Sequence, residues 1–313
     1  DPESIKPKKT DQKALVIGSG PSGLECSMQL ARRGYHVTLA EADNKLGGRV
    51  LFESGLKGLS AWKRVSDNRL YEIQQKNNIE IYKESELTLS HINELGIDNI
   101  FLATGSSWRK DGIGRSRRKP IQGLESLKVL TPEEAIKESK NLSGPIVVYD
   151  DEQGYLAGVI ADHLSSDDHE IIFITPASVV SPWTESTLEQ KRIQKALLVS
   201  GVNVICNKTI DKVEGSNVNL QCVFTGEITF LKCAAIVMVT ERIPNTTLYD
   251  QLIEQENSAE KGETKHIQLI GDAESPGLIA DAVFLGHLAA QNFEEPEQEI
   301  QKAMFMREMP SLK

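Results

Sequence analysis

Among the four cysteines of this 313-residue chain none forms a C-x-x-C pair, so a redox dithiol has no support. Cys26, Cys206, Cys222 and Cys233 are also too scattered to supply the closely spaced ligands of a zinc or iron–sulfur site. Cys26, on the first helical stretch, and Cys206, at a strand end, read as buried structural thiols in a reducing, cytoplasmic compartment. No apolar run approaches the roughly 20 residues of a membrane span. The first residues, Asp1 to Thr10, lack the apolar core of a signal peptide and read as a charged linker with further chain attached upstream. Excess positive charge is missing too: 35 Lys and Arg against 45 Asp and Glu give a net charge of −10. Nucleic acid and anionic membrane are thereby disfavoured as partners.

What the chain has is a glycine run in an informative place. The apolar strand Ala14-Leu15-Val16-Ile17 leads into Gly18-Ser19-Gly20-Pro21-Ser22-Gly23, and a helix opens at Pro21-Ser22. A second strand, Val37-Thr38-Leu39-Ala40, ends in Glu41. Strand, glycines, helix and strand-end acid together form a dinucleotide-binding fingerprint. Gly18 permits the tight turn, Gly20 lets backbone approach a pyrophosphate, and Gly23 lets helix pack on strand. The helix N-terminus offers unpaired N–H groups to phosphates, and Glu41 can accept from an adenosine ribose while repelling a 2′-phosphate.

Further on, the pattern predicts a helix over Asn68 to Asn77 and strands over Ile79 to Tyr82 and Ile97 to Ala103. A basic loop, Trp108 to Pro120 with Arg117 and Arg118, is a solvated loop or an anion site. A second βαβ unit begins after Asn141-Leu142-Ser143-Gly144-Pro145, with strand Ile146 to Tyr149, helix Tyr155 to Leu164 and strand Glu170 to Thr175. An amphipathic helix with Leu188, Ile193, Leu197 and Leu198 follows, then the strand Val202 to Ile205. A hairpin of Val218 to Val223 and Ile228 to Leu231 and a strand over Ala235 to Val239 come next. Ile267 to Asp272 and a helix from about Gly277 to Asn292 close the pattern. The fold class is α/β: tandem doubly wound, Rossmann-like domains of the FAD/NAD(P)-binding flavoprotein type, the second inserted in the first. The expected boundaries are 1–13 linker, 14–143 plus 260–293 nucleotide-binding domain, 144–240 second domain, 241–259 connecting segment and 294–313 tail.

In the second unit the glycines are gone. Aligning its strand with the first puts Asp150, Glu152 and Tyr155 at the three glycine positions, with Asp151 between. Side chains block backbone approach, and two unit charges ~4 Å apart repel by about 4 kcal/mol at an effective dielectric near 20. The acids are expected to cap the helix N-terminus themselves, and tight NAD(P)H binding there is not expected.

The stretches Ala14 to Glu25, Glu41-Ala42, Leu46-Gly47-Gly48-Arg49-Val50, Leu102 to Trp108, Asp111-Gly112 and Leu269 to Ala282 resemble the C-terminal half of the trimethylamine dehydrogenase family. That family includes dimethylamine, histamine and dimethylglycine-type dehydrogenases and, more distantly, 2,4-dienoyl-CoA reductase; the likeness covers nearly the whole chain. It implies pyrophosphate at Gly18, Gly20, Pro21, Ser22 and Gly23, ribose at Glu41 beside Ala42, and Gly48-Arg49 curling over the nucleotide. Ala103, Thr104, Gly105, Gly271 and Asp272 lie where FAD enzymes wrap the ribityl and pyrophosphate. The ligand it implies is ADP, a vestige of FAD, in the amine-oxidising branch, or FAD in the reductase branch; the acids Asp150 to Glu152 side with the former. FMN, a four-iron, four-sulfur cluster and the catalytic residues belong to an N-terminal TIM barrel that this chain lacks. The implied partners are that barrel, as domain or subunit, an electron-transfer flavoprotein, and further copies in a homo-oligomeric enzyme.

Alternatives stay open for single residues and for the whole. Arg49 pairs a phosphate or is a surface arginine, and Asp272 contacts ligand or caps the last helix. Trp62 and Trp183 read as packing residues, and His163, His266 and His287 receive no chemistry. The chain as a whole is a structural nucleotide-binding region, a self-contained FAD-dependent NAD(P)H oxidoreductase, or a nucleotide-free interaction module.

Overall fold

The computed structural model describes residues 7–8, 10–167, 169–258, 265–296 and 300. The described residues form two compact units, one from Asp1–Leu51, Trp62–Ser106 and Pro244–Lys313, the other from Phe52–Ala61 and Ser107–Ile243. In chain order the elements begin β1 (Lys13–Ile17), α1 (Pro21–Arg33), β2 (His36–Ala40), α2 (Arg49–Glu53), α3 (Arg64–Gln74), β3 (Ile79–Tyr82), α4 (Leu89–Leu95), β4 (Asn99–Leu102) and β5 (Ser106–Trp108). Next come β6 (Lys128–Leu130), α5 (Pro132–Lys137), β7 (Ile146–Asp150), α6 (Leu156–Ser165), β8 (Ile171–Ile174), α7 (Gln190–Val199) and β9 (Asn203–Ile205). The last are β10 (Lys208–Glu214), β11 (Asn217–Cys222), β12 (Ile228–Lys232), β13 (Ala235–Val239), β14 (Arg242–Pro244), α8 (Thr247–Ser258), β15 (His266–Leu269) and α9 (Ile279–Asn292).

The first unit is built on a parallel sheet in the order β15-β4-β1-β2-β3. Central β1 is covered on both faces, which is why it reads as a continuous apolar run rather than an alternation. One face packs Val16, Leu24, Leu30, Tyr35, Leu39 and Phe101 together. The other gathers Leu15, Ile92, Ile100, Leu102 and Leu252. Strand order reverses at β1, with β2 on one side and β4 on the other, so the crevice outside their carboxyl ends is a topological switch point.

The second unit carries another parallel sheet, β6-β13-β7-β8-β9, and a three-stranded antiparallel sheet, β10-β11-β12. Val147, Tyr149, Ile172, Ile236 and Met238 of the first pack against Ile210, Val213, Val218 and Leu220 of the second. Both units are Rossmann-like, and the second interrupts the sequence of the first.

Several elements depart from the sequence expectation. Residues 107–143, grouped above with the first domain, lie in the second unit, because β6 pairs with β13 and Ile121 enters the second core. The expected connecting segment holds α8, whose Leu252 is buried in the first unit. The hairpin gains a third strand, β10, whose period of two is broken by an irregularity between Ile210 and Lys212, so its inward residues, Ile210 and Val213, stand three apart. Leu188 precedes α7 at a φ of +62° and is exposed, as is Leu198, leaving Ile193 and Leu197 as the buried face. Trp183 is exposed rather than packed in a core. Most of the expected tail, 297–299 and 301–313, lies outside the described residues.

Candidate nucleotide site

The three fingerprint glycines prove to have different jobs. Gly18 takes a φ of +100°, and a Cβ there would strike the Ala103 carbonyl. A Cβ on Gly23 would strike the Gly18 carbonyl and lie 3.1 Å from Ala103 Cβ, so these two glycines are required by packing of chain on chain. Gly20 is different: its φ of −64° suits any residue, and a Cβ there would meet nothing within 4 Å. The space before Gly20 is an open cradle that a side chain would fill. Gly20 is also the N-cap of α1, with no capping side chain and no acid in the first turn, so the helix presents bare N–H groups and the positive end of its dipole there. The cradle and the uncapped helix fit a phosphate group.

Around the cradle lie the other predicted residues of this unit. Gly48 has a φ of +54°, and its Cβ would sit 2.8 Å from Gly20 Cα, so the loop after β2 folds closely over the turn. The Gly47 N–H donates to the Ser19 carbonyl at 3.0 Å. Glu41, at the end of β2 and followed by Ala42, accepts from Ser19 N–H at 2.8 Å and Ser19 Oγ at 2.5 Å on Oε2, and from Asp43 N–H at 2.9 Å on Oε1. After β4, Ala103 N–H donates to the Ile17 carbonyl at 2.7 Å. Thr104 donates through Oγ1 to the Asn245 carbonyl at 2.7 Å, and Gly105 has a φ of +73° with open space where its Cβ would be.

Arg49 is neither a surface arginine nor directed at open space. Its Nη1 donates to Asp272 Oδ2 at 2.7 Å and to the Gly277 carbonyl at 3.0 Å. Asp272 is buried, which pushes its carboxyl above the usual range, while the Arg49 guanidinium and the Gly277 N–H pull it down. It does not cap the last helix: Leu278 is the N-cap of α9, and Asp281 receives the Leu278 N–H at 2.8 Å. Ser22 turns its side chain toward Gly271, whose Cβ would lie 2.7 Å from Ser22 Oγ. That buried hydroxyl has no hydrogen-bond partner among the described residues; Pro21 opens α1 beside it.

The equivalent crossing of the second unit is filled by its own acids. Asp150 and Asp151 are fully buried. Asp150 accepts from Gln153 N–H at 2.7 Å, its Oδ2 has no partner among the described residues, and burial pushes its carboxyl well above the usual range. Asp151 accepts from Ser116 N–H at 3.0 Å and Ser116 Oγ at 2.7 Å. Neither acid caps α6, correcting the expectation: the N-cap is Tyr155, and residues 151–155 put a longer loop between strand and helix than residues 18–20 do in the first unit. The Asp150 carboxylate turns back into that loop, and the Asp151 carboxylate reaches Ser116 of the basic loop instead.

Three arginines of the basic loop, Arg109, Arg115 and Arg117, are engaged by their own chain. Arg109 pairs with Asp111, Arg115 donates to the Glu152 carbonyl and stacks on Trp183, and Arg117 donates to the carbonyls of Ile210 and Asp211. His287 pairs with Glu25 at 2.9 Å, and His266 lies among Phe101 and Phe293. Cys26 and Cys233 are buried, with the Cys233 thiol pushed up to about 12. Cys222 departs from that pattern: donors from Thr225 and the Phe224 backbone lower its thiol to about 7. No sequence signal marked it, since the turn supplies the donors. Among the described residues no group of three or more His, Cys, Asp or Glu side chains is placed to hold a metal ion, and no helix is long and apolar enough to cross a membrane.

Residues 12–284 match the family model described as pyridine nucleotide-disulphide oxidoreductase. Among curated proteins the chain is 29% identical to dimethylamine dehydrogenase of Hyphomicrobium sp. (strain x), over 96% of this chain and 44% of that one. Histamine dehydrogenase from Rhizobium sp. 4-9 superposes with a TM-score of 0.90 at 37% identity, covering 95% of this chain and 46% of that one. The 6-hydroxypseudooxynicotine amine oxidase of Pseudomonas geniculata N1 gives a TM-score of 0.89 at 34% identity, covering 94% and 44%. The chain thus spans less than half the length of these relatives.

Proposed function

This chain belongs to the pyridine nucleotide-disulphide oxidoreductase family, and we propose that it is the nucleotide-binding region of an amine-oxidising flavoprotein dehydrogenase, holding ADP in its first unit. The observation that carries this is the contrast between the two strand-to-helix crossings. The first presents an open cradle at Gly20 and an uncapped helix, and the second buries Asp150 and Asp151 at the positions of Gly18 and Ser19 and puts Glu152 at that of Gly20. One unit can accept a pyrophosphate; the other cannot supply a nicotinamide nucleotide as hydride donor. The nucleotide's part is then structural, and the redox chemistry, carried by FMN and an iron–sulfur cluster, belongs to a barrel domain or subunit. Amine turnover and reoxidation by an electron-transfer flavoprotein are properties of that larger assembly, which we place in the cytoplasm.

Gly18, Gly20, Pro21 and Gly23 would line the pyrophosphate, Glu41 the ribose, and Gly48, Thr104 and Gly105 the surrounding wall. Arg49, Asp272 and Ser22 support that wall through their contacts with one another's segments. Mass analysis of the nucleotide released on denaturing the purified protein tests the assignment. ADP from a colourless protein supports it. Release of FAD from a yellow protein would favour a self-contained reductase, and absence of any nucleotide would favour an interaction module.

A further inference from the structure

Ser19 is fully buried, and both its N–H and its hydroxyl donate to the same oxygen of Glu41, Oε2, at 2.8 and 2.5 Å. Asp43 N–H donates to the other oxygen, Oε1, at 2.9 Å. An ionised carboxylate offers about four acceptor positions. Donors among the described residues take three, leaving one on Oε1. A carboxylate that clasps both hydroxyls of a ribose needs two.

The Ser19 hydroxyl cannot give way without loss. Its residue is held by the Gly47 N–H on its carbonyl and is shut off from solvent, so releasing Glu41 would leave a buried hydroxyl unpaired. We propose that Glu41 reads a single hydroxyl of an adenosine ribose, and that Ser19, by occupying Oε2, is the positioning residue that sets this specificity. The inference rests on the nucleotide assignment above and sharpens it. Alanine at position 19 would keep the backbone N–H on Oε2 but vacate one acceptor position, allowing the second ribose hydroxyl to bind.

Displacement of labelled ADP from the full chain by unlabelled ADP, 2′-deoxy-ADP and 3′-deoxy-ADP tests it. In the wild-type protein one deoxy analogue should bind about tenfold more weakly than ADP, as expected for one lost hydrogen bond to a charged group. The other should stay within about twofold of ADP. In Ser19→Ala both analogues should fall about tenfold below ADP. Equal losses for the two analogues in the wild-type protein, or an unchanged pattern in Ser19→Ala, would overturn the inference while leaving the ADP site standing. Failure of ADP itself to bind would overturn the nucleotide assignment and the role of Ser19 with it. The wild-type comparison needs no variant, so it holds even if Ser19→Ala folds poorly.

Discussion

The Arg49 guanidinium donates to the Asp272 carboxylate at 2.7 Å, tying the loop after β2 to the turn after β15. With Asp272 buried and Arg49 largely so, removing the cation strands an acid whose carboxyl is already pushed up by burial. Arg49→Met should therefore cost about 2–3 kcal/mol at neutral pH, somewhat below the penalty for breaking a fully buried pair. The sign with pH follows from the direction of the shift. A folded-state pKa above the unfolded value means stability present at low pH and lost as pH rises, and losing Arg49 raises the folded value further. Denaturant melts should show a larger penalty at pH 8 than at pH 5; an equal penalty at both would refute the pairing as the cause.

Gly20→Val separates fold from ligand. Its φ lies in the ordinary range and its Cβ would meet no protein atom, so the melting transition should move by less than about 1 kcal/mol. Nucleotide retention should be lost, because the side chain fills the cradle. Gly23→Ala should behave oppositely and lower stability by several kcal/mol through its collision with the Gly18 carbonyl. Nucleotide occupancy unchanged in Gly20→Val would remove the cradle from the site.

What could be read in the residues was the part with strong local chemistry. The run from Ala14 to Gly23 predicts β1, its turn and α1, because a glycine that must take a φ of +100° and an apolar strand leave few alternatives. The even alternation of β11 predicts a hairpin, while the irregularity in β10 hides the third strand. Long-range partnerships were not legible. Nothing local says that Arg49 meets Asp272, 223 positions on, or that Ser116 rather than a helix N-terminus takes up Asp151. Unit membership of 107–143 likewise depends on β6 finding β13.

Asp150 offers a second test of sign. Its carboxyl is pushed well above the usual range by burial, with Glu152 and Asp151 adding to the push and Arg115 and the Gln153 N–H opposing it. The folded chain thus binds a proton there more tightly than the unfolded chain, and stability from this group drains away as pH climbs above about 4, the unfolded carboxyl value. Asp150→Asn keeps an acceptor for Gln153 N–H and removes the ionisation. It should stabilise the second unit by about 1–2 kcal/mol at pH 8 and have little effect at pH 4. Loss of stability at pH 8 in the variant would mean that Asp150 carries a useful charge.

The chain by itself should not oxidise NADH or NADPH at an enzymatic rate. A hydride donor would have to bring its pyrophosphate to the turn between β7 and α6, where residues 151–155 replace the short glycine turn. Asp150 and Asp151 lie buried there and the Glu152 carboxylate stands beside them, so backbone contacts are lost and like charge is added, two effects of one sign. No C-x-x-C pair is present to accept electrons. Mixing the purified chain with FAD, either nicotinamide nucleotide and ferricyanide gives a direct assay. Turnover in the ordinary range of roughly 1–10³ per second would make the second unit a working donor site and promote the reductase alternative. Asp150→Gly with Glu152→Gly should not restore it, because the loop remains longer than that of the first unit and Asp151 still faces Ser116.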